Sequence, residues 1–247
     1  MLLKIRRIPE TDLANIGPME IELKYRALRV LKEGWGPFSY DPTKLTAPDT
    51  FNAQPELFGT AEPTHLDQIR RRIIALLRRG DEEATANLEV TECLHKYAVD
   101  NNVRARRYDI SPYNLSSAVG INYSFWLPLV LVADDRLIIP FIDPRRTRGL
   151  SAIGRRFALS MMHHRARVLY PDLGDAELAI FAFPVLAAPS GVERRRLRIY
   201  FAGDEPLFSY QELDQMVVDT YRIWQEVLTE RRDEARRTGS GRRGSLL

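Results

Sequence analysis

An arginine-rich stretch between Pro144 and Tyr170 holds the side chains of this chain that are best suited to recognising phosphate. It contains no Asp or Glu, and the adjacent histidines 163 and 164 add two titratable groups. The arginines of the stretch are Arg145, Arg146, Arg148, Arg155, Arg156, Arg165 and Arg167. A guanidinium group contacts phosphate through planar, bidentate hydrogen bonds, and such binding weakens steeply with salt. The stretch predicts a nucleic-acid-binding surface, and its alternative is a solvated helix face whose acidic partners lie elsewhere, as in residues 172–177.

Other reactive side chains are few. Cys93 is the only cysteine, which excludes a disulfide framework and a cysteine-rich zinc site within one chain and indicates a reducing compartment. We interpret it as a small core residue. His163 and His164 project about 100° apart on a helix and cannot both bind one metal from it. The sequence contains no glycine-rich phosphate loop, nucleophile elbow or HExxH motif, so those enzyme classes are not indicated.

Composition limits the protein class more than the function. The 247 residues are 45% hydrophobic and 28% charged, which is typical of a globular chain with one large domain or a core and a smaller appendage. There are 31 arginines and 5 lysines, and the net charge is only +3. A GC-rich coding bias explains this excess as well as phosphate recognition does. No segment has the length of a signal peptide or a membrane span, so we expect a soluble, cytoplasmic protein without a membrane partner.

The elements that must position the arginines follow an α/β pattern. Two apolar runs within residues 125–144 flank Ala133-Asp134-Asp135-Arg136, which predicts a β-hairpin. Because both runs are apolar on both faces, we expect this hairpin at the centre of a mixed sheet that is flanked by helices. The helix that follows, from about 150 to 170, places several of the arginines near one end of that sheet.

Periodicity predicts the remaining elements. They are helices over about 20–33, 64–79, 81–100 and 209–232, and strands over 103–110, 178–183 and 197–201. The first of these strands carries Arg104, Arg106 and Arg107. The last helix opens with a capping box, in which Ser209 is the N-cap and Glu212 lies three residues on.

A proline-rich segment separates the first helix from the second. Prolines 37, 42, 48, 55 and 63 alternate with aromatic residues, which predicts an ordered but irregular connection without a continuous helix. Its part from 35 to 58 is a candidate docking surface for a protein partner. We divide the chain into an N-terminal region of helices and proline-rich segment (1–80), an α/β core domain (81–232) and a basic, disordered tail (233–247).

The hairpin and its neighbours resemble the restriction-endonuclease-like PD-(D/E)xK superfamily over about residues 82–183. The residues that carry the resemblance are Pro128-Leu129, the Asp134-Asp135 turn and Asp143-Pro144-Arg145, with Glu89 and Glu92 on the preceding helix. The resemblance implies a nuclease-like fold in which Asp143 and Glu92 bind Mg²⁺ and Arg145 takes the position of the catalytic lysine.

The sequence departs from that family at the catalytic positions. Leu129 replaces the metal-binding aspartate, and Arg145 cannot accept a proton near neutral pH. Asp134 and Asp135 lie at the far end of the hairpin from Asp143, more than about 20 Å away along a seven-residue strand. Turn formation alone explains an Asp-Pro pair at a strand end, and a solvated helix face explains Glu89 and Glu92.

Three functions are therefore compared. The first is a nucleic-acid-associated protein with a catalytically degenerate, nuclease-like core that binds DNA in preference to RNA through the arginines of 144–170. The second is an active metal-dependent DNA endonuclease whose missing carboxylate comes from elsewhere, such as Glu92. The third is a non-catalytic structural or partner-binding subunit that docks through 35–58.

Overall fold

A six-stranded mixed sheet forms the centre of the protein, and its two middle strands are the predicted hairpin. The computed structural model describes residues 6–33, 39–54, 63–110, 113–114, 119–187, 193–203 and 206–239. The strands of the sheet are β1 (Ala53–Gln54), β2 (Arg104–Arg107), β5 (Leu129–Ala133), β6 (Arg136–Asp143), β7 (Glu177–Ala182) and β10 (Arg198–Phe201). Two smaller ladders join β3 (Tyr113–Asn114) to β4 (Asn122–Tyr123) and β8 (Val185–Ala187) to β9 (Glu193–Arg195). The order in the large sheet is β1-β2-β5-β6-β7-β10.

Helices cover both faces of this sheet. They are α1 (Glu10–Ile16), α2 (Ile21–Glu33), α3 (Asp41–Thr50), α4 (Leu66–Leu76), α5 (Asp81–Asp100), α6 (Ala152–Met162) and α7 (Tyr210–Gly239). A π-helical turn, His163–Arg167, continues α6, and a short 3₁₀ turn, Pro171–Leu173, follows it. Among the described residues, no helix is both long enough and apolar enough to cross a membrane.

The β5–β6 hairpin forms because its two turn residues accept left-handed backbone geometry. Asp134 and Asp135 have φ of 49° and 61°, the conformation that a two-residue hairpin turn requires and that Asp tolerates. The antiparallel register pairs Ala133 with Arg136 and Leu131 with Ile138. Beyond the turn, β6 pairs in parallel with β7 through Asp143 opposite Ala182, so Asp143 lies at the carboxyl edge of a central strand.

Alternate side chains of the sheet enter two hydrophobic cores. Phe141 faces one core together with Phe157 of α6 and Trp224 of α7. Ile142, the next residue of β6, faces the other core together with Leu94 of α5. The period of two along a strand thus divides the protein into an α1–α6–α7 layer, the sheet and an α3–α5 layer.

The structure confirms the α/β fold with a central hairpin and corrects three element boundaries. The prolines do not prevent helix α3: Pro42 lies in its first turn, where no backbone N–H is needed, and Pro48 lies in its last turn. Tertiary bonds hold this helix, because the Thr43 N–H and hydroxyl both donate to Asn87 Oδ1, at 3.1 and 2.8 Å. The neighbouring parts of the proline-rich segment, 34–38 and 55–62, lie outside the described residues.

The other two corrections concern the ends of the predicted helices. The helix predicted over 150–170 is helical from Ala152 to Leu169, but its part His163–Arg167 is a π-helical turn. Helix α7 runs to Gly239 and so includes the first part of the tail that we expected to be disordered, because Glu, Ala and Arg in that part favour helix. Residues 240–247 lie outside the described residues.

Candidate functional site

The carboxyl end of β6 gathers several buried polar groups. Asp143 is 1% exposed, and its Oδ2 accepts a 2.6 Å hydrogen bond from the Leu150 N–H. Its Oδ1 has no hydrogen-bond partner. Burial raises the pKa of Asp143, and the Leu150 N–H and the Arg145 charge oppose that rise. Asp143 therefore closes the loop 144–150 against the end of the strand.

Gly149 fits this closed loop because it has no side chain. A Cβ at position 149 would lie 2.9 Å from Asp143 Oδ2, closer than non-bonded atoms approach. A side chain at position 149 would therefore displace the loop or the Asp143 carboxylate.

Arg145 uses its guanidinium group to hold the N-terminal helix α1. Its two terminal nitrogens donate to the two carboxylate oxygens of Asp12 at 2.6 and 2.8 Å. Both side chains are largely buried, with exposed fractions of 26% and 21%. This bidentate, charge-assisted geometry is one that lysine cannot provide, so the arginine at this position has a structural role in docking α1 onto the sheet.

Arg195 makes a second buried connection to the same strand end. It comes from β9, and its side chain is 3% exposed. Its guanidinium donates to Glu89 Oε2 at 2.8 Å, to the Pro144 carbonyl at 2.6 Å and to the Tyr40 hydroxyl at 2.8 Å. The sequence analysis missed Arg195, because nothing in the run Arg194-Arg195-Arg196 distinguishes the buried member from its neighbours.

The structure does not bring Glu92 into this arrangement. Glu92 is 45% exposed and pairs with Arg70 of α4 at 2.8 Å, and Glu89 is the residue of α5 that reaches the end of β6 through Arg195. Within the described ranges, no group of three or more His, Cys, Asp or Glu residues could hold a metal ion. The Mg²⁺ site at Asp143 and Glu92, and the catalytic roles predicted for Asp143, Glu92 and Arg145, gain no geometric support and stay predictions.

Most arginines of the 144–170 stretch contact groups within the protein. The Arg155 guanidinium lies 4.1 Å from the Tyr200 ring centroid and donates to the Leu150 carbonyl, and that of Arg156 lies 3.9 Å from the Phe208 centroid. The Arg165 guanidinium lies 5.8 Å from the Tyr170 centroid, and Arg167 donates to the Gly174 carbonyl. Such cation–π contacts stabilise packing. Arg146 and Arg148 are exposed, and the nucleic-acid-binding role predicted for the stretch stays a prediction.

Comparison with known proteins places the chain in a family. A family model described as "Sliding clamp-binding bacterial toxin SocB" matches residues 11–234. The chain belongs to the SocB family. It is also similar to the protein named "DNA replication inhibitor toxin SocB" of Caulobacter vibrioides (strain NA1000 / CB15N), with 34% identity over 244 residues and 97% of each chain covered. No solved structure matches the chain.

The SocB match extends from α1 into α7, so it includes both the Asp12–Arg145 pair and the Arg195 cluster. Neither comparison bears on the resemblance to the PD-(D/E)xK superfamily, which stays a prediction. The family description names a protein partner of the replication machinery, and of the three functions compared above it favours the partner-binding one.

Proposed function

We propose that this chain inhibits DNA replication by binding the sliding clamp, and that the segment 35–58 provides the docking residues. The observation that carries the proposal is the similarity along 97% of the chain to a DNA replication inhibitor toxin, together with the clamp-binding description of the family model. In this proposal the chain has a non-catalytic role instead of a nuclease-like one, and it acts by occupying a protein partner.

The described part of the docking segment is firmly attached to the protein body. Phe51 is fully buried and meets the ring of Phe181 edge-to-face at 6.1 Å between centroids. After it, Asn52 turns the chain with φ of 52°, and β1 pairs in parallel with β2. The chain thus leaves the edge of the sheet at Gln54 from a fixed position.

The sequence after Gln54 has the chemistry of a short docking peptide. It reads Pro55-Glu56-Leu57-Phe58, and these residues lie outside the described residues. Two adjacent large apolar side chains, the first of them two residues after a proline, suit a groove that accepts a short peptide and gains affinity from side-chain pockets. We assign Leu57 and Phe58 as the anchors.

A binding measurement with the purified sliding clamp of the encoding organism tests the proposal. The full chain should bind the clamp, and replacing both Leu57 and Phe58 by Ala should weaken binding by at least about 30-fold, because loss of apolar anchors costs about 2 kcal/mol or more. Expression of the unmodified chain should arrest DNA synthesis in cells, and expression of the double variant should not.

A matched control separates docking from general loss of apolar surface. Ile21 and Leu23 of α2 are about half exposed, at 53% and 49%, and replacing both by Ala should leave clamp affinity unchanged. Absence of clamp binding by the unmodified, folded chain would refute the proposed function. Equal affinity of the Leu57/Phe58 variant and the unmodified chain would refute the assignment of the anchors.

A further inference from the structure

Strand β2 presents two exposed arginines on the face of the sheet that carries the α1–α6–α7 layer. Arg104 and Arg106 are exposed, whereas Ala105 between them is 3% exposed and faces the α3–α5 core. Their antiparallel partners on the same face are Val132 and Val130. Val130 is 4% exposed and Val132 is 40% exposed, so the helical layer reaches the partner of Arg106 and ends before the partner of Arg104.

Tyrosines and a third arginine continue this face. Tyr108 follows β2 with the same period of two, and its N–H donates to the Pro128 carbonyl at 3.1 Å, which extends the pairing with the neighbouring strand. The Tyr108 ring meets Tyr170 edge-to-face at 5.8 Å, and the Arg165 guanidinium lies 5.8 Å from the Tyr170 centroid. We call Arg104, Arg106, Tyr108, Arg165 and Tyr170 the arginine–tyrosine surface.

The guanidinium groups of β2 are available to an outside partner. Within the described part of the chain, the side chains of Arg104 and Arg106 form no hydrogen bond or ion pair with another residue. Acidic groups lie at the two ends of the surface: Asp134 and Asp135 line the hollow beside Arg104, and Asp172 lies near Tyr108.

The surface lies beside the point at which the docking peptide leaves the sheet. Gln54 and Arg106 are register partners in the parallel β1–β2 pair, so their strands are about 4.8 Å apart. Leu57 is three residues further along, and three residues span at most about 11 Å. The covalent chain therefore keeps Leu57 within about 16 Å of Arg106.

We propose that the arginine–tyrosine surface binds the phosphate backbone of the duplex DNA that passes through a clamp held at residues 57 and 58. This inference rests on the proposed function for the position of the DNA. Exposed guanidinium groups suit phosphate contacts. The two tyrosines already use their rings against each other, which favours hydroxyl contacts with the backbone over stacking on unpaired bases.

The test measures binding of a labelled duplex to the full chain by fluorescence anisotropy between 50 and 200 mM salt. The unmodified chain should bind, and R104Q/R106Q should bind at least about tenfold more weakly at 100 mM salt. The slope of log affinity against log salt should fall by about 1.8, because each lost phosphate contact removes about 0.9. The matched control R26Q/R196Q removes two exposed arginines, one on α2 and one between β9 and β10, and should retain the affinity and slope of the unmodified chain.

Clamp binding without DNA, measured on the same variants, separates this inference from the proposed function. R104Q/R106Q should keep its affinity for free clamp, and the Leu57/Phe58 variant should keep its affinity for duplex. The proposed DNA-binding role of the surface is refuted if the unmodified chain does not bind duplex, if it binds only single strands, or if R104Q/R106Q and R26Q/R196Q weaken duplex binding equally. Loss of free-clamp binding in R104Q/R106Q, with an unchanged melting temperature, would refute the DNA contact and show that the surface is a protein interface. Duplex binding with no clamp binding in any form would leave the DNA contact standing and refute the proposed function.

Discussion

Asp143 is a single residue whose protonation changes the stability of the fold. Burial raises its pKa above the ordinary 3.8, so the folded state binds the proton more tightly than the unfolded chain does. Stability from this group is therefore fully present below the unfolded pKa and is lost as pH rises through the folded pKa. The Leu150 and Arg145 N–H groups favour the ionised carboxylate, but burial opposes ionisation more strongly.

We expect Asp143→Asn to gain stability relative to the unmodified chain as pH rises from 4 to 8, because Asn keeps an oxygen for the Leu150 N–H and cannot ionise. Urea denaturation across that pH range measures this difference. Asp143→Ala is the matched comparison: it removes the acceptor, and its free energy of unfolding should lie about 1–3 kcal/mol below that of Asp143→Asn. A difference between the Asn variant and the unmodified chain that does not change with pH would contradict the prediction.

At the scale of elements, the Asp12–Arg145 pair decides how α1 docks on the sheet. Bidentate geometry and partial burial make this pair stronger than an exposed one. A double-mutant cycle with Asp12→Asn and Arg145→Gln should give a coupling energy of about 1–3 kcal/mol in the free energy of unfolding.

The exposed Lys96–Asp100 pair on α5 is a suitable control for that cycle. It has a similar N–O distance, 2.7 Å, but its side chains are 76% and 52% exposed. Its coupling should not exceed about 0.5 kcal/mol. Equal coupling for the two pairs would show that α1 is held by its other contacts, which are apolar packing and the hydrogen bonds of Asn15 with Gly149 and Ser151.

Elements that local chemistry determines could be predicted from the sequence. The hairpin follows from Asp134-Asp135 between apolar runs, and the start of α7 follows from Ser209, whose N–H donates to Glu212 Oε2 at 2.6 Å. Helix α3 could not be predicted, because it depends on Asn87, 44 residues from Thr43. The candidate site was predictable only in part, for the same reason. Asp143 was identified at its strand end from the sequence. The pairing of Arg145 with Asp12 and the burial of Arg195 were not, because they depend on contacts with residues 133 and 106 positions away in sequence.

At the scale of the whole molecule, the two proposed binding features share one edge of the sheet. The docking peptide follows β1, the edge strand, and the arginine–tyrosine surface begins on β2 beside it. The carboxyl end of β6 lies at the same end of the sheet as Gln54, three strands further in, and is closed by Asp143, Arg145 and Arg195. A partner can bind a docking peptide that follows an edge strand without opening the core. This arrangement suits an inhibitor that acts by occupying another protein.

The N-terminal region and the α/β core should unfold as one cooperative unit, unlike the division at residue 80 that the sequence suggested. Leu13 of α1 is fully buried in the core that also contains Phe157 and Trp224, and the Trp224 indole N–H donates to the Arg6 carbonyl at 2.7 Å. Leu13→Ala should cost about 2–5 kcal/mol and should accelerate hydrogen exchange equally in α1 and in β7, which belongs to both cores. Val99→Ala, at a position that is 64% exposed, should change stability by less than about 0.5 kcal/mol. Faster exchange in residues 6–33 alone, with β7 unchanged, would show instead that residues 1–80 and 81–232 are separate folding units.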